Sequence, residues 1–222
     1  MTARASLLVV AKAPVPGQAK TRLSPAVPPG QAADIAAAAL LDTLDAVLAT
    51  PGTIPVVAMT GDLTAAQRSD ELRALLRRTV VVPQRGADFA TRLANAHADT
   101  AHLNGGLPVF QIGMDTPQVT AELLDGCIAS MRHVDGVLGM AADGGWWALG
   151  LHDGYRAAAL RTVPMSRDDT GSLTAAALRR HGLRIGALPE LSDVDDMGTA
   201  LAVAAGLPGS RFAEALLVDV LR

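Results

Sequence analysis

The chain predicts a three-layer α/β/α sandwich with a mostly parallel mixed sheet, built as a single domain over residues 1–222. Three observations predict it. Short β-branched or leucine runs alternate with longer alanine-rich stretches, the pattern of βα units. Half of the residues are apolar but only 3% are aromatic, so the core must be Ala, Val and Leu packed at close backbone distances, which suits helices laid on a sheet. No long Ser/Gly/Pro linker, internal repeat or low-complexity block interrupts the series.

In order, the expected strands are Ser6 to Ala11, Ile54 to Met59, Thr79 to Val82, Leu107 to Ile112, Gly136 to Met140, Trp146 to Leu151 and Leu183 to Leu188. Each is a short apolar run with turn-forming residues at its flanks. Helices are expected from about Gly30 to Ala49, Thr64 to Arg77, Phe89 to His102, Ala121 to Arg132, Asp169 to His181, Met197 to Ala205 and Arg211 to Leu221. The first has apolar residues at helical spacing with Asp34, Asp42 and Asp45 between them. Ala142-Asp143-Gly144-Gly145-Trp146-Trp147 is a turn signature, so its two strands are expected as antiparallel neighbours that make the sheet mixed.

Composition excludes several classes. Nineteen basic against 22 acidic residues give a formal charge of −3, which supplies no field for wrapping a nucleic-acid backbone, so no nucleic-acid partner is expected. The single Cys127 cannot form an internal disulfide and sits in an apolar stretch, the setting of a buried structural cysteine in a reducing, cytoplasmic compartment. The Leu7 to Ala11 run is followed by charge and proline rather than a cleavage site, and no segment reaches the roughly 20 apolar residues of a membrane span. Neither secretion nor a membrane partner is expected; the oligomeric state is not legible.

The loop Lys12-Ala13-Pro14-Val15-Pro16-Gly17-Gln18-Ala19-Lys20-Thr21-Arg22-Leu23 follows the first strand, where a parallel α/β sheet presents its ligand crevice. Pro14 and Pro16 stiffen it, Gly17 permits a backbone conformation or close approach that a side chain would block, and Lys12, Lys20 and Arg22 supply cations for phosphates. The spacing is not that of a Walker A loop, and a solvated connection is the competing reading. Asp115, in Gly113-Met114-Asp115-Thr116-Pro117, projects from a strand's carboxyl end toward the same crevice; there it holds Mg²⁺ or Mn²⁺, or else begins a turn or caps the helix near Val119.

Asp193, Asp195 and Asp196 precede a short helix and exceed what one N-cap needs; alternation turns Asp193 and Asp195 to one side as further metal ligands. At the turn, Asp143 can accept substrate hydroxyls, Gly144 and Gly145 can admit substrate close to the backbone, and Trp146 or Trp147, but not both, can face it. A plain hairpin is the alternative there.

The Lys12 to Leu23 loop, Gly113 to Pro117, Asp143-Gly144-Gly145 and Asp193-Val194-Asp195 together resemble the GT-A-like nucleotide-diphospho-sugar transferase superfamily. Within it they are most similar to the radical-SAM/selenodomain-associated, arsenosugar-biosynthesis-type glycosyltransferases. That pattern reads approximately K-x-P-x-P-G-x-x-K-T-R-L, G-x-D-x-P, D-G-G-Y and D-V-D-T. Gly86 to Arg92 stands against its G-D-L-G-x-R segment, which implies nucleotide contacts for Asp88 and Arg92.

The resemblance implies phosphate binding by Lys12, Lys20 and Arg22, metal binding by Asp115 and Asp195, and Asp193 as a ligand or as a residue orienting Asp195. The chain departs from the pattern at Trp146 for Tyr, at Met165 before Ser166 for Trp, and at Asp196 for Thr. Lys20 to Pro25 also resembles the loop of 2-phospholactate guanylyltransferases. The functions implied are glycosyl transfer from a nucleotide-sugar to a small acceptor, or nucleotidyl transfer with release of pyrophosphate. A non-catalytic nucleotide-binding module is the third alternative. Lys20, Arg22 and Asp115 are the expected catalytic residues.

Overall fold

The computed structural model describes residues 3–23 and 26–217. Its strands are β1 (Ala5–Lys12), β2 (Thr53–Thr60), β3 (Val80–Pro83), β4 (Val109–Gly113), β5 (Gly136–Met140), β6 (Trp146–Leu151) and β7 (Ile185–Ala187). Its helices are α1 (Pro29–Ala49), α2 (Ser69–Leu76), α3 (Phe89–Leu103), α4 (Ala121–Ser130), α5 (Thr170–Arg180), α6 (Met197–Ala205) and α7 (Arg211–Leu217). They build the expected α/β sandwich around one sheet in the order β3-β2-β1-β4-β6-β5-β7. β6 runs antiparallel to both neighbours while the other pairings are parallel.

Alternation in β1 sets the layers. Leu7, Val9 and Ala11 face a core shared with α1, α2 and α4, while Leu8 and Val10 face one shared with α3, α5 and the 3₁₀ segment Gly154–Thr162. α1 is buried on two sides. Ala37, Leu40, Leu41 and Leu44 meet the sheet, whereas Ala32, Ile35, Ala38 and Ala39 meet α6 and α7, which is why its alanine content is needed. Cys127 lies in the first core, where burial pushes its thiol up to about 11 and leaves it an inert packing group.

The boundaries differ from expectation in particular places. α2 begins at Ser69 rather than near Thr64 because Asp62 accepts hydrogen bonds from Thr64 in a tight turn and Arg68 takes a left-handed conformation. α4 gives way to a 3₁₀ turn at Met131–His133, and the 3₁₀ segment Gly154–Thr162 was not expected. The expected strand Leu183 to Leu188 shortens to Ile185–Ala187. Ser24 and Pro25 of the first loop, and residues 218–221 of the last expected helix, lie outside the described residues. No helix among the described residues is long and apolar enough to cross a membrane.

Candidate active site

The chain leaves β1 toward β2 and β3 on one side and returns to β4 on the other, so the order reverses between β1 and β4. Loops diverge there and open a crevice at the strands' carboxyl ends. Because β6 is antiparallel, its first residue and the β5–β6 turn lie at this same end. The resulting cavity has a volume of about 640 Å³, a size that admits a nucleotide with a small second substrate.

Asp115 lines it, and Lys20, largely buried, reaches Asp115 at its edge. The Lys20 Nζ donates to Asp115 Oδ2 at 2.9 Å and to the Val194 carbonyl, and lies 3.4 Å from Asp195 Oδ1. Arg22 Nη1 donates to the other Asp195 oxygen at 2.8 Å from a largely solvent-exposed position. Lys20 has φ of +47°, a left-handed conformation that costs a residue with a Cβ about 1–2 kcal/mol, so its ion pairs hold it against backbone preference. Burial alone would lower the Lys20 pKa, but Asp115 and Asp195 together carry it above the ordinary lysine value.

The aspartates are positioned by backbone. Gly113 leaves room for the Asp115 carboxylate, since a Cβ there would lie 2.7 Å from its Oδ1. Val194 N donates to the Asp115 carbonyl at 3.1 Å, which fastens the Asp193–Asp195 segment beside Asp115. Val194 itself is fully buried against α1, α6 and α7, so Asp193 and Asp195 turn together toward the cavity as alternation predicts. Asp115 does not cap α4, a role taken by Thr120, and Asp196 is the N-cap of α6 in a capping box with Thr199. Burial, reinforced by Asp115 and Asp143, pushes Asp193 up to about 8, and its Oδ1 is buried without a partner among the described residues.

Four carboxylates thus face this crevice, from Asp115, Asp143, Asp193 and Asp195, and among the described residues only Lys20 and Arg22 form ion pairs with them. An all-oxygen donor set with excess negative charge and one orphaned carboxylate oxygen fits a hard divalent cation such as Mg²⁺ or Mn²⁺. Among the described residues no three His, Cys, Asp or Glu side chains are grouped to hold an ion by themselves. Two carboxylates supplemented by phosphate oxygens and water are the usual Mg²⁺ arrangement.

The other expected site residues divide. Lys12, Arg92, Asp143, Gly145 and Trp146 line the cavity. Trp147 packs in the core, with its indole donating to the Pro189 carbonyl at 2.9 Å. Pro14 is buried and its carbonyl accepts from Gln67, while Gly17 sits in open space at φ of +74°, a conformational rather than a close-approach glycine. Asp88 caps α3 by accepting from Thr91, outside the main cavity. Gly144 packs against the Asp168 backbone, where a Cβ would fall 1.8 Å from the carbonyl oxygen; its lack of a side chain seats the wall of the site rather than a substrate.

That wall includes Met165 and Ser166, where the chain departs from the family pattern; its Arg167, Asp168 and Thr170 were not read from the sequence, nor were Gln84 and Gln111. Gln84 Nε2 bridges the Ala11 and Ala58 carbonyls and ties the ends of β1 and β2 together. Gln111 is 2% exposed with an unpartnered Oε1; a lone glutamine in an apolar strand was the available signal. Ser166, which lines the cavity, adopts φ of +60°, a left-handed conformation like that of Lys20. The Arg92 Nε is buried without a partner, and its guanidinium lies 5.7 Å from the Phe89 ring centre.

Among solved structures, a candidate nucleotide-diphospho-sugar transferase from Desulfovibrio desulfuricans G20 is similar at a TM-score of 0.80 and 24% identity, covering 96% of this chain and 94% of that one. CMP:2-keto-3-deoxy-manno-octonic acid synthetase in complex with CTP is similar at a TM-score of 0.58 and 12% identity, covering 92% and 98%. A Mycobacterium tuberculosis H37Rv protein in complex with manganese gives 0.54 and 19%, covering 91% and 98%. At these identities the likeness is one of fold. No curated protein sequence matches. Residues 43–167, more than half of the chain, match the model of the family described as "Uncharacterized protein conserved in bacteria (DUF2064)", and the chain belongs to that family.

Proposed function

We propose that this chain is a metal-dependent transferase acting on a nucleotide-activated substrate, and that it transfers a glycosyl group from a nucleoside-diphospho-sugar to a small acceptor. The observation that carries the reading is the convergence of Lys20, Arg22, Asp115 and Asp195 at the switch point between β1 and β4. The likeness in fold to a candidate nucleotide-diphospho-sugar transferase supports the glycosyl form. We assign the whole of residues 1–222 to one domain of this kind.

Asp115 and Asp195 would hold Mg²⁺ or Mn²⁺, with Asp193 as a further oxygen donor or as the group that orients Asp195. When bound, the ion neutralises charge that builds on the phosphate oxygens of the leaving group. Lys20 and Arg22 bind the phosphates beside it, and Lys12 and Arg92 add cations along the cavity. Asp143, exposed at the turn, accepts acceptor hydroxyls while Trp146 supplies an apolar wall. The Met165 to Asp168 segment supplies a further part of the wall.

A second reading, nucleotidyl transfer with release of pyrophosphate, is favoured by the likeness to a synthetase that binds CTP. The test is to incubate the chain with nucleoside triphosphates and sugar nucleotides in Mn²⁺ and identify the leaving group. Nucleoside diphosphate release from a sugar nucleotide, dependent on an added hydroxyl acceptor, is expected. Pyrophosphate release would establish the second reading, and the absence of turnover together with nucleotide binding would leave a binding module.

A further inference from the structure

The last residue of β1 and the loop after it carry the only two lysines of the chain, Lys12 and Lys20, among 19 basic residues. Elsewhere the chain uses arginine. Lys12 is exposed and its Nζ reaches the Gln18 carbonyl within the same loop. Lys20 does something different: it points inward, and its side chain is only 12% exposed. Its ammonium stands between Asp115 Oδ2 at 2.9 Å and Asp195 Oδ1 at 3.4 Å, with the Val194 carbonyl as a third oxygen. Those are the two carboxylates that the proposed function assigns to the metal.

We propose that the Lys20 ammonium is a resident stand-in for the metal, occupying the slot between Asp115 and Asp195 in the nucleotide-free chain and vacating it when metal and nucleotide phosphates arrive together. The inference rests on the assignment of Asp115 and Asp195 as the metal ligands. A Mg²⁺ ion on these carboxylates needs oxygens at about 2.0–2.1 Å, and an ammonium already bonded to both cannot share that gap with a divalent charge. One of the two cations must leave.

The residue type suits the exchange. An ammonium is a compact, three-donor point charge on a flexible stem, whereas a planar guanidinium would neither fill a spherical slot nor withdraw from it easily. The backbone suits it as well, because Lys20 is held at φ of +47° and release from the slot lets that strained residue relax. Departure needs a destination, and the phosphates of an incoming nucleotide provide one beside Arg22, which pairs with Asp195 from the solvent side. With neither cation in place, the Asp115 and Asp195 carboxylates that Lys20 now joins would repel one another. Metal and nucleotide therefore bind with mutual support, and the bare metal binds weakly.

The experiment measures Mn²⁺ binding without nucleotide by electron paramagnetic resonance of the free ion, for the wild-type chain, Lys20→Met, Lys20→Gln and Lys20→Arg. Removing the competing charge in Lys20→Met or Lys20→Gln should tighten Mn²⁺ by about tenfold or more, while Lys20→Arg, which retains the charge, should not. Adding Asp115→Asn to Lys20→Met should abolish the gain. Equal or weaker Mn²⁺ binding by the neutral variants, including no binding by any chain, overturns the proposal, as does a gain that survives Asp115→Asn.

Should both neutral variants fail to fold, amine acylation of the wild-type chain, read by mass spectrometry, replaces them. At Mn²⁺ concentrations that saturate the site, labelling of Lys20 relative to Lys12 should rise severalfold; an unchanged ratio overturns the proposal. Failure of the transferase reading is distinguishable. It would show as no nucleotide or sugar nucleotide raising the melting temperature in Mn²⁺, and would leave the Mn²⁺ comparison intact.

Discussion

Gly144→Ala tests how the wall of the site is seated. Gly144 has φ of +86°, and a Cβ on it would lie 1.8 Å from the Asp168 carbonyl oxygen and 2.5 Å from its carbon. Both are backbone atoms, so the clash cannot be relieved by turning a side chain. The Gly171 amide also donates to the Gly144 carbonyl at 2.8 Å, and a Cβ on Gly171 would lie 2.4 Å from the Gly145 carbonyl, which ties the turn to the start of α5. Left-handed strain contributes about 1–2 kcal/mol. Overpacking against the backbone contributes about 1–3 kcal/mol more. A chain of this length loses roughly 2–4 °C per kcal/mol, so the melting temperature should fall by about 4–20 °C.

Gly17→Ala is the control. It carries the strain alone, φ of +74° with nothing within 4 Å of the added Cβ, and should cost about 1–2 kcal/mol. Thermal and urea unfolding of the two variants side by side measure the difference. If Gly144→Ala is no less stable than Gly17→Ala, the turn does not seat against Asp168 and the assignment of its glycine to packing is wrong.

Asp115→Asn keeps the size of the side chain and removes its charge, so the variant should fold yet lose metal-dependent turnover by about a hundredfold or more; full activity at limiting metal refutes the ligand assignment. Arg22→Ala removes a largely exposed cation, so unfolding should be nearly unchanged while nucleotide affinity in a thermal-shift titration falls by about tenfold. His97 is fully buried with neither ring nitrogen bonded, and burial lowers its pKa to about 3. Its neutral form is present in both folded and unfolded states above the ordinary histidine value, so its contribution is intact at neutral pH and is lost as pH falls from about 6.5 toward 3. His97→Leu should flatten that acid limb in pH-dependent unfolding, and an unchanged limb would place the acid sensitivity elsewhere.

What was legible in the sequence follows from how local each signal was. β1 and α1 were read closely because a continuous apolar run and an alanine-rich helical stretch each declare a burial pattern within one segment. The antiparallel β6 was read from the Asp143-Gly144-Gly145 turn, although Trp146 and Trp147 were separated by facing alone. The structure adds a bulge at Gly139/Met140, where a Cβ on Gly139 would lie 2.4 Å from the Trp147 indole nitrogen. Asp88 caps α3, and an acidic residue ahead of a helix has the same sequence signature whether it caps the helix or meets a ligand. Met165 and Ser166 were marked only as a departure from the family pattern, and the seating of Gly144 on Asp168 arises between segments far apart in the chain, so no local pattern announces it.

The crevice also draws on a part of the chain that never enters it. Leu23, immediately after Arg22, and Val194, between Asp193 and Asp195, are both fully buried in the cluster formed by α1, α6 and α7. Each is thus an anchor one residue away from a charged group of the site. Arg211 pairs with Asp42 and Asp45 of α1 at 3.1 and 2.7 Å, and the Phe212 amide donates to Asp42, which fastens α7 to α1. Two of the three acidic residues between the apolar positions of α1, Asp42 and Asp45, therefore dock α7, while Asp34 pairs with Arg68. The helices in turn give Leu23 and Val194 a common floor. This explains why a cation from the loop after β1 and carboxylates from the segment before α6, about 175 residues apart, meet within hydrogen-bonding distance. The separation of Lys20 from Asp195 is set by hydrophobic packing beneath them, and the charges need only complete a geometry that the apolar cluster already holds.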